Sequence, residues 1–185
     1  MKIKPAAKKG DVVMELHPSD EQLLVHSFKA AENKGWPFQL KNILVPIDFS
    51  QFSRRALEYA LPLAERFGAT ITLFHAVAPV YMEGITLPEC GDLSLRMEQE
   101  AMKMLNSLGR EKIKPEIACG KLTAIGNPWQ EIITAALSGH SDLIVIATHG
   151  YTGLRHVLMG STAERVVRHA PCPVMVVRAR ENAGG

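Results

Sequence analysis

The chemistry in this chain concentrates where an apolar run gives way to glycines and then to a helix start. Asp142-Leu143-Ile144-Val145-Ile146-Ala147 is short, apolar and rich in β-branched residues, as a strand buried on both faces of a parallel sheet must be. Gly150, Gly153 and Gly160 follow, and glycine lets a backbone take positive φ or approach a ligand closely. Ser161 then reads as an N-cap with Glu164 three residues on, the S-x-x-E pattern of a capping box, ahead of the apolar Val166 and Val167. A strand, a glycine loop and a helix N-terminus in that order offer N–H groups without internal acceptors and the positive end of a helix dipole, which together suit a phosphate. The same spacing also serves a plain strand-to-helix connection, so the stretch alone leaves both readings open. Arg155 and His156 lie within reach of such an anion and read equally well as solvated loop residues. Glu164 works against an anion, because it brings negative charge within a turn of it unless Mg²⁺ or Arg155 offsets that charge.

A second candidate group is Asp48, at the end of the apolar Asn42-Ile43-Leu44-Val45-Pro46-Ile47. As a carboxylate it accepts well from hydroxyl and amino donors but repels phosphate at close range. Its plain alternative is a cap for the helix that Ser50 opens. The elements that must bring Asp48 to the glycine loop can be read from periodicity. A helix after Ser50 carries Ala56, Leu57, Ala60, Leu61, Ala64 and Phe67 on one face and stops at Gly68, and Thr70 to Val77 is a second strand. The pattern lapses from Ala78 to Gly91, a disordered connection or a lid. A helix from about Leu93 to Arg110 follows, with Met97 and Met104 as core filler. Ile117 to Thr123 is a weak strand suited to an edge, and Asn127-Pro128 opens a helix ended by Gly139. After the glycine loop, the Ser161 helix runs to about His169 and Val174 to Val177 is the last strand. The order βαβαβαβαβ predicts an α/β fold, a doubly wound five-stranded parallel sheet with helices on both faces. Ligands of such sheets bind beyond the carboxyl ends of the strands where strand order reverses, and Asp48 meets the loop after Ala147 there if the first and fourth strands are neighbours.

A length of 185 residues with 46% hydrophobic content suits one domain plus an extension and is enough to bury a core. The net charge is +2 with no long basic block, which argues against a nucleic-acid partner. No apolar run reaches the ~20 residues of a membrane span and no signal-peptide core is visible, so a cytoplasmic protein with no membrane partner is expected. Cys90, Cys119 and Cys172 are odd in number, widely spaced and without zinc-site spacing, and read as reduced thiols with no metal. Residues 1–38 differ from the rest. The Lys-rich first ten are expected to be mobile, and Ser19-Asp20-Glu21-Gln22 caps an amphipathic helix over about 20–33 that carries Leu23, Leu24, Val25, Phe28 and Ala31. Its apolar face has three candidate seats: the domain, a partner chain, or Trp36 and Phe38.

Lys41-Asn42-Ile43-Leu44-Val45-Pro46-Ile47-Asp48-Phe49-Ser50, the Leu73-Phe74-His75-Ala76 strand end, and Thr148-His149-Gly150-Tyr151-Thr152-Gly153 form one part of a wider pattern. Gly160-Ser161-Thr162-Ala163-Glu164-Arg165-Val166 with Ala170-Pro171-Cys172-Pro173-Val174 completes it. Together they resemble the universal stress protein family, over about residues 40 to 180. The resemblance implies a Rossmann-like fold of the adenine nucleotide α-hydrolase type, with an extension over 1–38, the domain over 39–180 and a tail over 181–185. ATP-binding members resemble one another in a pattern of Gly, two residues, Gly, nine residues, Gly, then Ser or Thr. The matching positions here are Ala147, Gly150, Gly160 and Ser161, so alanine stands at the first glycine. Carried over position by position, the resemblance puts Pro46 and Asp48 at the nucleoside, backbone groups of Ala76 near the adenine, and Ile146 and Ala147 beside ribose and base. It puts the N–H groups of Gly150, Gly160, Ser161 and Thr162 on the phosphates of ATP or AMP, with Mg²⁺ as a companion ion. It also implies a homodimer through the last strand, Pro173 to Val177, in keeping with the need to cover an apolar edge strand.

Dedicated catalysis finds little support. There is no G-x-S-x-G elbow, no G-x-x-x-x-G-K-[ST] loop and no H-E-x-x-H, and slow hydrolysis of bound ATP is the most expected. His75, at a strand end, reads as a hydrogen-bonded core histidine. Two functions follow. One is a nucleotide-binding regulator of stress physiology, in which ATP or AMP changes the order of the 78–91 loop and so the choice of an unidentified protein partner. The other is a nucleotide-free dimeric interaction scaffold, which Ala147 favours.

Overall fold

Two neighbouring strands are clamped at their amino ends, and the rest of the sheet extends from them. The Asp142 carboxylate accepts from the N–H groups of Lys41 and Asn42 at 2.8 and 2.9 Å, and the Asp142 N–H returns a bond to the Asn42 carbonyl at 2.9 Å. In this computed structural model, residues 2–5, 12–16, 39–79, 87–148 and 159–178 are described. In chain order they form β1 (Lys2–Pro5), β2 (Val12–Leu16), β3 (Asn42–Pro46), α1 (Gln51–Phe67), β4 (Thr70–Val77), α2 (Leu87–Lys112) and β5 (Cys119–Ile125). These are followed by α3 (Pro128–Ser138), β6 (Leu143–Ala147), α4 (Ser161–His169) and β7 (Val174–Val177).

The sheet has seven strands in the order β1-β2-β7-β6-β3-β4-β5. The five expected from the sequence are all present and parallel, with β3 between β4 and β6. α1 and α2 cover one face, where Ala56, Leu57, Ala60, Leu105 and Leu108 pack on Ile43, Val45, Leu73 and Val145. α3 and α4 cover the other, where Ile132, Ala136, Ala163 and Val166 pack on Leu44, Phe74, Ile144 and Val176. A buried Leu, Ile or Val contributes ~1.5–3 kcal/mol, so a sheet apolar on both faces holds its strands without alternation in the sequence. The winding therefore changes direction between β3 and β6, which is the reversal that makes a crevice at the carboxyl ends.

Several expectations are corrected. Residues 2–5 and 12–16 are strands: β1 pairs antiparallel with β2, and β2 pairs parallel with β7. The outer edge of β7 is thus occupied within the chain, and the premise of a bare edge over Pro173 to Val177 does not hold. The helix expected over 20–33 lies outside the described residues. α2 begins at Leu87, inside the stretch read as an aperiodic loop, because Pro88 falls in the first turn, where a missing N–H costs little. Met97 and Met104 are 46% and 41% exposed, since the buried stripe of α2 runs through Ser94, Ala101, Leu105 and Leu108 beside them. Cys90, Cys119 and Cys172 form no disulfide, and burial pushes the Cys119 thiol above its ordinary pKa against the opposing charge of Lys121.

Candidate functional site

β3 and β6 are paired at Ile43–Leu143 and Leu44–Ile144, and that register carried forward sets Ile47 opposite Ala147 at the carboxyl ends. Asp48 therefore stands at the mouth of the crevice, with the ends of β4 and β6 on either side. Its surroundings are a closed set of short-range bonds. Asp48 Oδ1 accepts from the Ser50 N–H at 3.1 Å and from the Ser50 hydroxyl at 2.6 Å. Ser50 Oγ caps α1 by accepting from the Ser53 N–H at 3.2 Å, while the Ser53 hydroxyl donates to the Ser50 carbonyl at 3.1 Å. The Asp48 N–H donates to Ser53 Oγ at 3.3 Å. Asp48 Oδ2 has no partner among the described residues. The cap and ligand readings of Asp48 are thus compatible: one oxygen fixes the turn and the other is available to a donor.

The turn is held in an uncommon conformation. Phe49 has φ of +64°, a left-handed value that costs a non-glycine residue ~1–2 kcal/mol. Its ring lies 4.7 Å from that of His75, and His75 Nδ1 donates to the Ile47 carbonyl at 2.6 Å. A carbonyl can only accept, which fixes the proton on Nδ1. His75 thus acts as the hydrogen-bonded histidine expected from its strand-end position, and it supports the turn that carries Asp48.

The opposite wall is α4. Gly160, at φ −67° and ψ 153°, is the N-cap, and Ser161 is the first helical residue. The capping box predicted between Ser161 and Glu164 does not form: among the described residues no side chain caps this helix, and Glu164 instead takes Arg168 in a pair at 2.8 Å. The register of the cap decides this, because with Gly160 at the cap Ser161 lies one residue too far along. The N–H groups of Ser161 and Thr162 consequently have no acceptor among the described residues, and the nearest carboxylate is drawn along the helix toward a cation. The Gly160 N–H is different. It donates to the Thr148 carbonyl at 2.7 Å, tying α4 to the end of β6, and is not available to a phosphate in this arrangement. Thr148 in turn donates its N–H to the Val177 carbonyl at 2.9 Å.

The model of the family described as "Universal stress protein family" matches residues 39–178. The chain belongs to that family. Universal stress protein MJ0531 of Methanocaldococcus jannaschii is 36% identical over 147 residues, which cover 75% of this chain and 82% of that one. The solved universal stress protein UspA from Lactobacillus plantarum is 28% identical with a TM-score of 0.68, covering 76% of this chain and 99% of that chain. A universal stress protein family protein from Arabidopsis thaliana, solved with AMP bound, is similar in fold at 19% identity and a TM-score of 0.53, covering 77% of this chain and 94% of that one.

Within this universal stress protein the remaining expected residues fall as follows. Ile146 and Ala147 are buried, Ile146 in the core under α3 and α4 and Ala147 in the core under α1. Their side chains are therefore committed to packing, and only their backbone groups can face a ligand. Pro46 ends β3 opposite Phe74, and Ala76 lies in β4 opposite Ala124, half-buried against the α3 and α4 core. Gly150, Arg155 and His156 lie outside the described residues. Ser53 and the carbonyl of Thr148 are additions that the sequence did not announce. A serine three residues after an N-cap serine was the available signal for the first; the second is a backbone group and leaves no trace in residue type.

Proposed function

We propose that this universal stress protein binds an adenine nucleotide, ATP or AMP, in the crevice between Asp48 and the N-terminus of α4, and acts in the cytoplasm as a regulator rather than as a dedicated enzyme. The observation that carries this reading is the uncapped first turn of α4. Ser161 and Thr162 offer backbone N–H groups and the positive end of the dipole, and Glu164 is held by Arg168 instead of closing the cap. Asp48 Oδ2 fits a ribose hydroxyl or an amino donor and not a phosphate, which orients the nucleotide with its sugar toward β3. Mg²⁺ would come with the phosphates. The Arabidopsis protein of the same fold supports the ligand class through its bound AMP. Ala147 weighs little against the reading, because its methyl is buried within the core cluster beneath α1.

The rival, a nucleotide-free interaction scaffold, draws on the Gly160 N–H, which is already engaged by Thr148. The segment that leaves β4 beside Ala76 and returns as α2 is the route by which occupancy would reach a protein partner. The deciding experiment is to purify the protein without added nucleotide, denature it and identify the released small molecules by mass spectrometry, then titrate the emptied protein with ATP and AMP by calorimetry. Stoichiometric release or micromolar binding supports the nucleotide reading. An empty protein that binds neither nucleotide with Mg²⁺ present leaves the scaffold.

A further inference from the structure

The outer groove between α3 and α4 carries side chains that the crevice does not use. Trp129, in the first turn of α3, lies half-buried against the core, and two residues one turn apart on α4 meet its ring. The Arg165 guanidinium carbon stands 5.7 Å from the ring centroid, and the His169 ring lies 5.3 Å away at an interplanar angle of 37°. From Trp129 a line continues along α3 through the half-buried Ile133 to Leu137, which is 57% exposed. Residues four apart fall on the same side of a helix, so these three make an apolar stripe about 12 Å long. One exposed leucine means little, but this one ends a stripe that begins at an indole flanked by a guanidinium and an imidazole.

The polar groups that meet here lack acceptors. Trp129 Nε1–H is buried and has no hydrogen-bond partner among the described residues, a costly state for a donor. Glu164, next to Arg165 in sequence, is held by Arg168 on a face about 100° round α4, and Glu131 packs against Gly126 on the far side of α3 from Trp129. Among the described residues, therefore, no carboxylate answers Arg165 or His169. We propose that the α3–α4 groove docks a short amphipathic helix of a protein partner, apolar on one face and bordered by Asp and Glu. Its apolar residues, one turn apart, lie along Trp129, Ile133 and Leu137. A carboxylate takes the free N–H groups of Arg165 while the guanidinium keeps its place over the indole, and so brings an acceptor toward the indole N–H. A lipid surface is a poorer match, because one arginine and one histidine attract anionic headgroups weakly and two of the three apolar residues are recessed between the helices.

The probe is a synthetic helical peptide of about four turns, with Leu at every third or fourth position and Glu along both borders, set against the same peptide with Lys for Glu. Binding is followed by calorimetry on the full chain and by fluorescence of the full chain carrying Trp36→Phe, in which Trp129 is the one remaining tryptophan. The acidic peptide is expected to shift the Trp129 emission and to bind in the micromolar range, more weakly as salt is added, whereas the basic peptide should not bind. Leu137→Glu and Arg165→Glu should each weaken the acidic peptide ~10-fold or more. Both residues are exposed, so circular dichroism should be unchanged in either variant. Leu137 lies at the end of α3 remote from the crevice, and its effect separates a peptide in the groove from one drawn to the first turn of α4. No binding of the acidic peptide at millimolar concentration, equal affinity for both peptides, or an affinity unmoved by Leu137→Glu would overturn the proposal. So would self-association of the full chain that Leu137→Glu abolishes, which makes a second copy the occupant. Pelleting with phosphatidylserine vesicles that both substitutions abolish would overturn it in favour of a lipid surface.

Discussion

The two walls of the crevice are made by opposite means. On the β3 side, side chains do the fixing: Asp48, Ser50 and Ser53 close a set of hydrogen bonds at 2.6 to 3.3 Å, and His75 pins the carbonyl of Ile47 beneath them. On the α4 side the offering is backbone, with the first-turn N–H groups uncapped and the one acidic side chain turned away to Arg168. One wall is fixed by hydrogen bonds among its own side chains, which leave Asp48 Oδ2 open. The other is ready because its first-turn N–H groups make no such bonds. A ligand with a hydroxylated, donor-bearing end and an anionic end is what such a pair of walls distinguishes.

The sharpest way to break this comparison is to give α4 the cap it lacks. Gly160→Asp places a carboxylate where it can accept from the first-turn N–H groups. It should raise the stability of the unliganded protein by about 0.5–1 kcal/mol while weakening nucleotide binding on the order of 10- to 100-fold, because the donors are consumed and like charges meet. Calorimetric titration and thermal unfolding together check this, and unchanged affinity would remove α4 from the site. Asp48→Asn keeps an oxygen for Ser50 but loses the charge on the other, so affinity should fall roughly tenfold with stability altered by less than about 0.5 kcal/mol. A loss of stability without a loss of affinity would return Asp48 to a purely capping role. Ala147→Gly removes a methyl from the core under α1 and adds backbone freedom, which should cost about 1 kcal/mol of stability and leave affinity within about a factor of two. A gain in affinity would show that the methyl obstructs the ligand after all. The smallest effect is expected from Glu164→Gln: about 0.3–0.5 kcal/mol for the exposed pair with Arg168, decreasing with added salt, and little change in binding.

The difference between the walls also explains what could be read from the chain beforehand. The five parallel strands and their crossover helices follow from apolar runs and periodicity, which are properties of residue type, whereas the adjacency of β3 and β6 that brings Asp48 to the end of β6 is a pairing the sequence left as a condition. Asp48, Ser50 and His75 were legible for the same reason. The cap of α4 was misjudged by one residue, because Gly160 and Ser161 are both accepted at an N-cap and only the Glu164 N–H, donating to the Gly160 carbonyl at 3.0 Å, decides between them. The bond from Gly160 to Thr148 was illegible, being backbone to backbone. The hairpin was missed for a different reason. β1 and β2 are short, and a Lys-rich opening looks like a tail until the strand it pairs with, at the far end of the chain, is known.

That last pairing has a consequence for how the molecule is made. Val13 and Val174 are neighbours in the sheet although nearly the whole chain separates them, a contact of very long range. During synthesis β2 leaves the ribosome first and β7 last, and at about 5–20 residues per second the interval is on the order of ten seconds. Throughout that time β2 has no β7 to join, while β3, β4, β5 and β6 can already assemble. The edge of the sheet is therefore closed only once translation has passed Val177, and the hairpin is among the last pieces to be fitted.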